Sequence, residues 1–480
     1  DYTFNAAKTG KYEVTYSVVD NKTGVKFSKS AEITVRSPYL VGWLILSEKD
    51  GKSALSFIKM RTVKRDDIDA EGNPVERDSI IFYDVEKYFR PDLGTEPKGL
   101  MEHIGVEYDF GFSDAVYDEI VVMQGKDNWV ELNGNTMEHE VYTKEEFGND
   151  LPENFEPVEA AMTFSSKLIR DKNGFIYLHR KVLANDYHAG SYISVPLANS
   201  TKFKGLYQAH KLYNRNYYVI PACTEDNSLV GIWDAGRYNE YSLDGTPSAI
   251  TENSSRNDGN IVELTENTDE KHFKQMSKNV IAMIPATCGR DNRFDVTDSY
   301  IVPKWLALME EKGTYSMRYF GLEGDTSGGI VTVTDFKEVP VDARVFAAGY
   351  VDMAVFQHKK YVVFASGKEI WYYPYGGSTS NAVLLKKFDQ NIVSISSHDV
   401  EEYTRDGDIY HNGHLGVALE NGDFFIYEVV EEDKVLDNIT VNQLYPSPET
   451  EDKDNNNFGK IVDTLYKFGN ASGVFTYTFQ

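Results

Sequence analysis

Residues 40–58 read LVGWLILSEKDGKSALSFI: an apolar strand, a tight polar turn and a second apolar strand. Asp50 and Gly51 mark the turn, because Asp and Gly tolerate the positive φ that short hairpin loops require. The unit recurs at residues 120–124 with 129–132, 166–170 with 175–180, and 217–222 with 229–233. It recurs again at 361–365 with 370–373 and 415–419 with 424–428, and residues 280–286 begin another whose partner is less clear. The clear turns read GKDN, DKNG, TEDNS, SGKE and ENGD. The units start about 63 residues apart on average, a β-repeat that predicts a propeller of about seven blades, with eight as the alternative.

The intervals carry further strand patterns at residues 79–85, 192–196, 259–264, 330–333, 383–388 and 391–396, enough for about four strands per blade. The closing GKIVDTLYKFG and GVFTYTFQ are also strand-like, and one of them is expected to close the ring on the first blade, which removes an exposed edge. Three stretches break the pattern. Residues 65–78 are charged and read as a rim loop, while residues 269–278 and 302–312 read as short helices. In the second of these, Pro303 suits a first helical turn, and Trp305, Leu306, Leu308 and Met309 make an apolar stripe. Residues 447–458 are acidic and Asn-rich and read as a loop.

Residues 1–37 differ. GKYEVTYSVVDNKTGVKFSKSAEITV alternates apolar and polar residues on both sides of an Asp-Asn-Lys-Thr-Gly turn. Tyr12, Val14, Tyr16 and Val18 form one face, and Val25, Phe27, Ile33 and Val35 can supply another. This is the expected closing hairpin of an immunoglobulin-like sandwich, whose other strands, with any targeting signal, are expected upstream of Asp1. The division is therefore 1–37, a partial Ig-like module, and 38–480, an all-β propeller domain.

Of 480 residues 41% are apolar, which allows a sizeable core. The net charge of −26 argues against nucleic acid and anionic membranes as partners, because phosphate binding needs basic clusters. It permits Ca²⁺ binding without indicating it. Two cysteines, Cys223 and Cys288, make no disulfide framework and read as buried thiols, with a pairing left open. No apolar run is long enough to span a membrane as a helix.

No phosphate-cradling loop, dinucleotide fingerprint or HExxH zinc motif is present, and no catalytic residue is assigned. His398, His411 and His414, with Asp399, Asp406 and Asp408, form the densest histidine cluster, although TRDGD and HNGH also read as solvated turns. GDTSGG, residues 324–329, resembles a protease nucleophile loop around Ser327 but reads better as a turn before a strand. DKDNNNFGKIVD, residues 452–463, puts Asp452, Asp454 and Asn456 at the first, third and fifth places of a twelve-residue Ca²⁺ loop. Asn457 stands where that loop needs Gly, and Asp463 where it needs Glu, so Asp452, Asp454 and Asp463 are weak metal candidates. Trp43, Trp129 and Trp233 lie inside hairpin strands and read as core. In WYYPYGGSTS, Trp371, Tyr372, Tyr373 and Tyr375 cannot all point inward if strand side chains alternate, so some are expected at a rim. Trp371, Tyr373 and Tyr375, with Tyr238 and Tyr241 of DAGRYNEYSLDG, are the candidate ligand-binding platform, suited to stacking on sugar rings or a protein partner, with packing between blades as the rival reading.

The opening passage resembles the PKD-like family of lipoproteins from Bacteroidetes. The residues that carry the likeness are Gly10, Tyr12, Tyr16, Val18, Asp20, Thr23 and Gly24, then Gly42, Trp43, Leu44, Leu46, Glu48, Asp50, Gly51, Leu55, Phe57 and Ile58. FGKIVDTLYKF near the end is family-like as well. The resemblance implies a lipid-anchored protein of the outer-membrane surface or periplasm, working beside a TonB-dependent transporter and a starch-binding-like lipoprotein. It carries over no catalytic residue. The expected function is non-enzymatic binding of a glycan, peptide or partner protein in nutrient uptake. A propeller-based glycoside hydrolase or lyase, and an adhesin or structural module, are the alternatives.

Overall fold

The computed structural model describes residues 10–35, 38–39, 41–68, 72–107, 116–126, 128–162, 166–181, 188, 190–198, 201–207, 219–233, 259–267, 271–286, 304–324, 329–356, 361–375, 382–398, 402–403, 409–410, 413–431, 439–448 and 456–467. Among them the chain is all-β, with a single short 3₁₀ turn at Thr143–Phe147. Strands Gly10–Val19 and Lys26–Val35 form a two-stranded antiparallel sheet of their own. Tyr12 pairs with Ile33 and Val18 with Phe27, so the two apolar sets share one face of the hairpin rather than two. Tyr16 and Phe27 on that face are exposed. No other strand pairs with this hairpin among the described residues.

From residue 42 onward the chain builds larger antiparallel sheets, numbered here in chain order. Sheet I holds residues 42–94 together with Lys460–Lys467, sheet II residues 97–142, and sheet III residues 157–192. Sheet IV has eight strands: two four-strand meanders, 203–265 and 279–341, joined edge to edge by a parallel pairing of Leu264 with Val331. Sheets V, residues 352–387, and VI, residues 392–445, have four strands each. In sheet I the C-terminal strand Lys460–Lys467 pairs with Gly42–Lys49, as expected of a closing strand. A further two-residue ladder joins Glu402–Tyr403 to Ile409–Tyr410.

The expected hairpins are all present, and their turns use the expected chemistry: Asp50 has φ +52° and Gly51 φ +76°. The fifth hairpin finds its partner in Lys304–Glu311, the segment read as a helix. Leu306 and Leu308 face one apolar cluster, while Trp305, Ala307 and Met309 face another. A strand buried on both faces reads as a continuous apolar run, and its period of two is hidden. Residues 271–278, within the other expected helix, are bends without a helical turn. The charged stretch 65–78 is mostly strand, pairing Arg65 with Arg77 and Ile68 with Pro74 in a hairpin arm that extends sheet I.

Among the described residues six apolar clusters hold the sheets face to face. One joins sheets I and II, the next II and III, and a large one joins III to both halves of IV. The others join IV to V, V to VI, and VI back to I. The succession therefore closes on itself. Each central strand contributes alternate residues to two clusters, as Trp43 and Ile45 do towards VI and Leu44 and Leu46 towards II. Trp43, Trp129 and Trp233 are all buried.

A second pattern sits on the leading strand of each meander. Six of these strands bulge at one residue: Lys98, Val158, Lys204, Ile281, Val393 or Val462 has no partner of its own in the ladder. Where the residue after the bulge has a polar side chain, that side chain accepts a backbone N–H from the leading strand of the next meander. Glu159 Oε2 accepts from Leu206 N at 2.7 Å, and Asp463 Oδ2 from Leu100 N at 2.7 Å. Ser394 Oγ accepts from Thr464 N at 3.3 Å. Asp352, which opens the leading strand of sheet V, accepts from Ile395 N at 2.9 Å. At the three remaining places stand Gly99, Gly205 and Ala282, which have no acceptor to offer.

Candidate functional site

Sheets II and III meet over a group of buried charges. Glu119 and Glu131 come from the consecutive strands Val116–Gln124 and Val130–Asn133, and Glu146 from the 3₁₀ turn. Lys167, His179 and Tyr192 lie in one row across three strands of sheet III, Lys167 pairing with His179 and His179 with Tyr192. His188 reaches in from the connection between the last two of those strands.

Lys167 Nζ donates to Glu131 Oε2 at 2.7 Å and to Glu146 Oε1 at 2.8 Å. Thr143 Oγ1 donates to Glu131 Oε1 at 3.0 Å. His188 Nε2 lies 2.6 Å from Glu119 Oε1, and its Nδ1 lies 3.0 Å from Glu146 Oε1. His179 Nε2 is 3.5 Å from the same Glu146 oxygen. Glu131 and Lys167 have 0% of their side chains exposed, and only His188, at 23%, opens towards solvent.

The surroundings set the charges. Burial raises the carboxyl of Glu119, against the pull of His188. Burial also acts to raise Glu131, but the Lys167 ammonium and His188 overcome it and hold that carboxyl below its ordinary value. Burial raises Glu146. Burial acts to lower Lys167 and His188, yet their carboxylate partners win and both are raised. Two carboxylates side by side are thus driven in opposite directions. Sequence reasoning missed this group. Its only signal was a charged residue at inward positions of apolar strands, as in WVELN and SSKLIRD, where Glu131 shares a face with the buried Trp129.

The aromatic run lies elsewhere. Trp371 and Tyr373 are buried in the cluster between sheets IV and V, and Tyr372 in the cluster between V and VI. The expectation that one of these faces would be free fails because the strand is sandwiched between two sheets. Tyr375 stacks on Tyr319 at 5.7 Å and donates its hydroxyl to Ala286 O at 2.9 Å. Tyr238 and Tyr241 lie outside the described residues, as do Asp452, Asp454, Ser327, His411, Asp399, Asp406, Asp408 and Cys288.

Asp463 does not sit in a cation-binding loop. It is buried in the strand that closes sheet I, where Leu100 N, Ser394 Oγ and Thr464 N occupy its oxygens. Asn457, from the same segment, clasps the hairpin turn of sheet VI by donating to Asn421 O and Asp423 Oδ1. His398 and His414 face each other across a strand pair, with His398 stacked on Tyr466 at 3.9 Å. Burial pushes His414 down to about 4. Cys223 is a buried free thiol.

A cavity of about 550 Å³ opens beside sheet VI. Phe425, Gln443, Asn456, Asn457, Asp423 and Pro446 line it. It offers one aromatic face among amide and carboxylate groups.

The profile of the PKD-like family matches residues 2–81, which takes in the N-terminal hairpin and runs on through the first two strands of sheet I into the third. No curated protein matches the chain in sequence. Among solved structures, Prp20p of Saccharomyces cerevisiae is similar at 10% identity over 82% of each chain, with a TM-score of 0.36. Human WBSCR16 is similar at 11% identity over 61% of this chain and 68% of its own, with a TM-score of 0.31. Hsv2p of Kluyveromyces lactis is similar at 11% identity over 66% of this chain and 72% of its own, with a TM-score of 0.30. At these TM-scores neither a site nor an activity carries across. Among the described residues no helix is long and apolar enough to cross a membrane.

Proposed function

We propose that the chain is a non-enzymatic binding module of an outer-membrane nutrient uptake system, built as a seven-bladed propeller behind the last hairpin of an Ig-like, PKD-like sandwich. The two meanders of sheet IV are then two blades, and the closed succession of clusters is the ring. The family match at residues 2–81 bears on the PKD-like part alone; the lipid anchor at the outer-membrane surface or in the periplasm, and a TonB-dependent transporter and a starch-binding-like lipoprotein as partners, are proposed on the resemblance of the opening passage to PKD-like lipoproteins.

The cavity beside sheet VI carries the binding reading. Phe425 lines it with an aromatic ring, and the amide and carboxylate groups of Gln443, Asn457 and Asp423, bonded to their neighbours, make the wall around it polar, a lining that suits a sugar ring or a peptide backbone. A glycan and peptide array on the purified chain tests it. Binding without turnover, lost in F425A and Q443A, is the expected result. Binding that survives both substitutions would place the ligand elsewhere.

The charge group between sheets II and III favours one second reading, a glycoside hydrolase or lyase. Glu119 and Glu131 are pushed in opposite directions, as an acid and a base must be. Turnover of a glycan that disappears in E119Q and E131Q would establish that reading and remove the first.

A further inference from the structure

We infer that the pocket between sheets II and III is a binding site for one divalent transition-metal ion, Zn²⁺ by its donor set, held by Glu119, Glu131 and His188. The three residues present one carboxylate oxygen, another carboxylate oxygen and one imidazole nitrogen, all within 4.8 Å of one another. That is a mixed His/Glu set of the size a zinc ion fills, with metal–ligand distances of about 2.0–2.2 Å.

The arrangement behind the ligands matches the set. His188 turns Nε2 towards Glu119 and Nδ1 towards Glu146 Oε1, 3.0 Å away. A metal-binding histidine ordinarily gives its second ring N–H to a carboxylate in this way, which fixes its tautomer and orientation. Thr143 Oγ1 and Lys167 Nζ hold the Glu131 carboxylate in place.

Two further atoms point to something additional in the pocket. Glu146 Oε2 and the Tyr192 hydroxyl are buried and have no hydrogen-bond partner among the described residues. Tyr192 is 3% exposed, and its hydroxyl feels the charge of all three glutamates. Buried polar atoms normally have partners, so each is a vacant valence for an ion or its bound water.

His188 is the partly exposed member of the set, so it marks the access route. The pocket is separate from the cavity beside sheet VI and does not depend on how that cavity is used.

The test takes the full chain, stripped with a chelator and titrated with Zn²⁺ at pH 7.5 in two buffers of different ionisation enthalpy. One ion per chain is expected, with protons released from the ligands as it binds. H188A and E119Q should weaken binding at least tenfold, while H272A, which alters a distant histidine, should leave it unchanged. X-ray absorption on the unsubstituted, zinc-loaded chain keeps the test open where a variant fails to fold. One nitrogen and two or three oxygen neighbours are expected at about 2.0–2.2 Å. No stoichiometric binding would show that the pocket is not a metal site. Equal binding by H188A, or a shell without nitrogen, would overturn the assignment as well.

Discussion

Asp463 Oδ2 accepts the backbone N–H of Leu100 at 2.7 Å, and this one bond ties the last described strand of the chain to the leading strand of sheet II. The other Asp463 oxygen takes Ser394 Oγ of sheet VI at 2.9 Å. One carboxylate thus bridges three consecutive sheets at the point where the succession closes. Glu159 and Asp352 make the same kind of bond at two other junctions. The bulge beside most of these positions is what re-aims the side chain across the gap between strands.

Replacing Asp463 with Ala leaves the Leu100 N–H without its acceptor in a buried site and takes from the Ser394 hydroxyl one of its two partners, the other being Thr464 Oγ1 at 3.2 Å. The expected cost is about 1–3 kcal/mol, that of one orphaned buried donor. Denaturant midpoints of the two proteins measure it. Combining the change with Ser394→Ala should cost less than the two single changes added together, because the partners share one network.

Asp352 gives the fold a pH dependence whose sign is fixed by burial. Burial, with the charge of Asp463 adding to it, pushes its carboxyl from 3.8 up to about 7. The folded state therefore binds this proton more tightly than the unfolded chain. Its contribution to stability is complete below about pH 4 and is lost as pH rises through about 7. Between pH 5 and 8 unfolding free energy should fall with rising pH, by at most about 1.4 kcal/mol per unit from this group. Asp352→Asn, permanently neutral and nearly isosteric, should flatten the decline. Urea titrations at pH 5, 6, 7 and 8 compare the two proteins, and an unchanged slope in the variant would count against Asp352.

Lys167 should be costly to remove whether or not a metal is bound. It is the cation between Glu131 and Glu146, with no part of its side chain exposed. Lys167→Met keeps the bulk and deletes the charge, leaving buried Glu131 with only Thr143 Oγ1 and buried Glu146 with only the histidines beside it. A loss of about 3–5 kcal/mol is expected, the usual result of removing one partner of a buried pair. Thermal unfolding of the variant at pH 7 reads it directly.

The sequence shows more of the scaffold than of the site. Turn residues such as Asp50–Gly51 and apolar strands such as GWLIL declare hairpins through local chemistry, which a linear reading can follow. The segment Lys304–Glu311 misleads because both its faces are buried, so its pattern is set by neighbours far away in sequence. The same cause hides Trp371 and Tyr373. The pocket of Glu119, Glu131, Glu146, Lys167 and His188 draws on five separate segments, and nothing in their spacing links them. Only pairing between sheets brings them together. The carboxylates that bond across to the next sheet are similarly mute, because Asp463 and Glu159 look like ordinary members of an acidic chain until the bulges beside them are known.

Gly416 offers a direct test of how tightly the closing junction is packed. It lies in the strand Gly413–Leu419 of sheet VI, facing sheet I. A Cβ placed there would stand 2.6 Å from Cζ3 of Trp43 and 2.9 Å from Cζ of Phe424. Trp43 is fully buried and is held by Phe424 and Tyr466 at ring distances of 5.9 and 5.2 Å, so its indole has no empty space to move into. Gly416→Ala should therefore destabilise by about 1–3 kcal/mol through overpacking, although alanine is the better residue for an unstrained backbone. Trp43 fluorescence should shift together with the denaturation midpoint, because the indole is the group displaced. A neutral or stabilising Gly416→Ala would mean that sheets VI and I are not pressed together at this point.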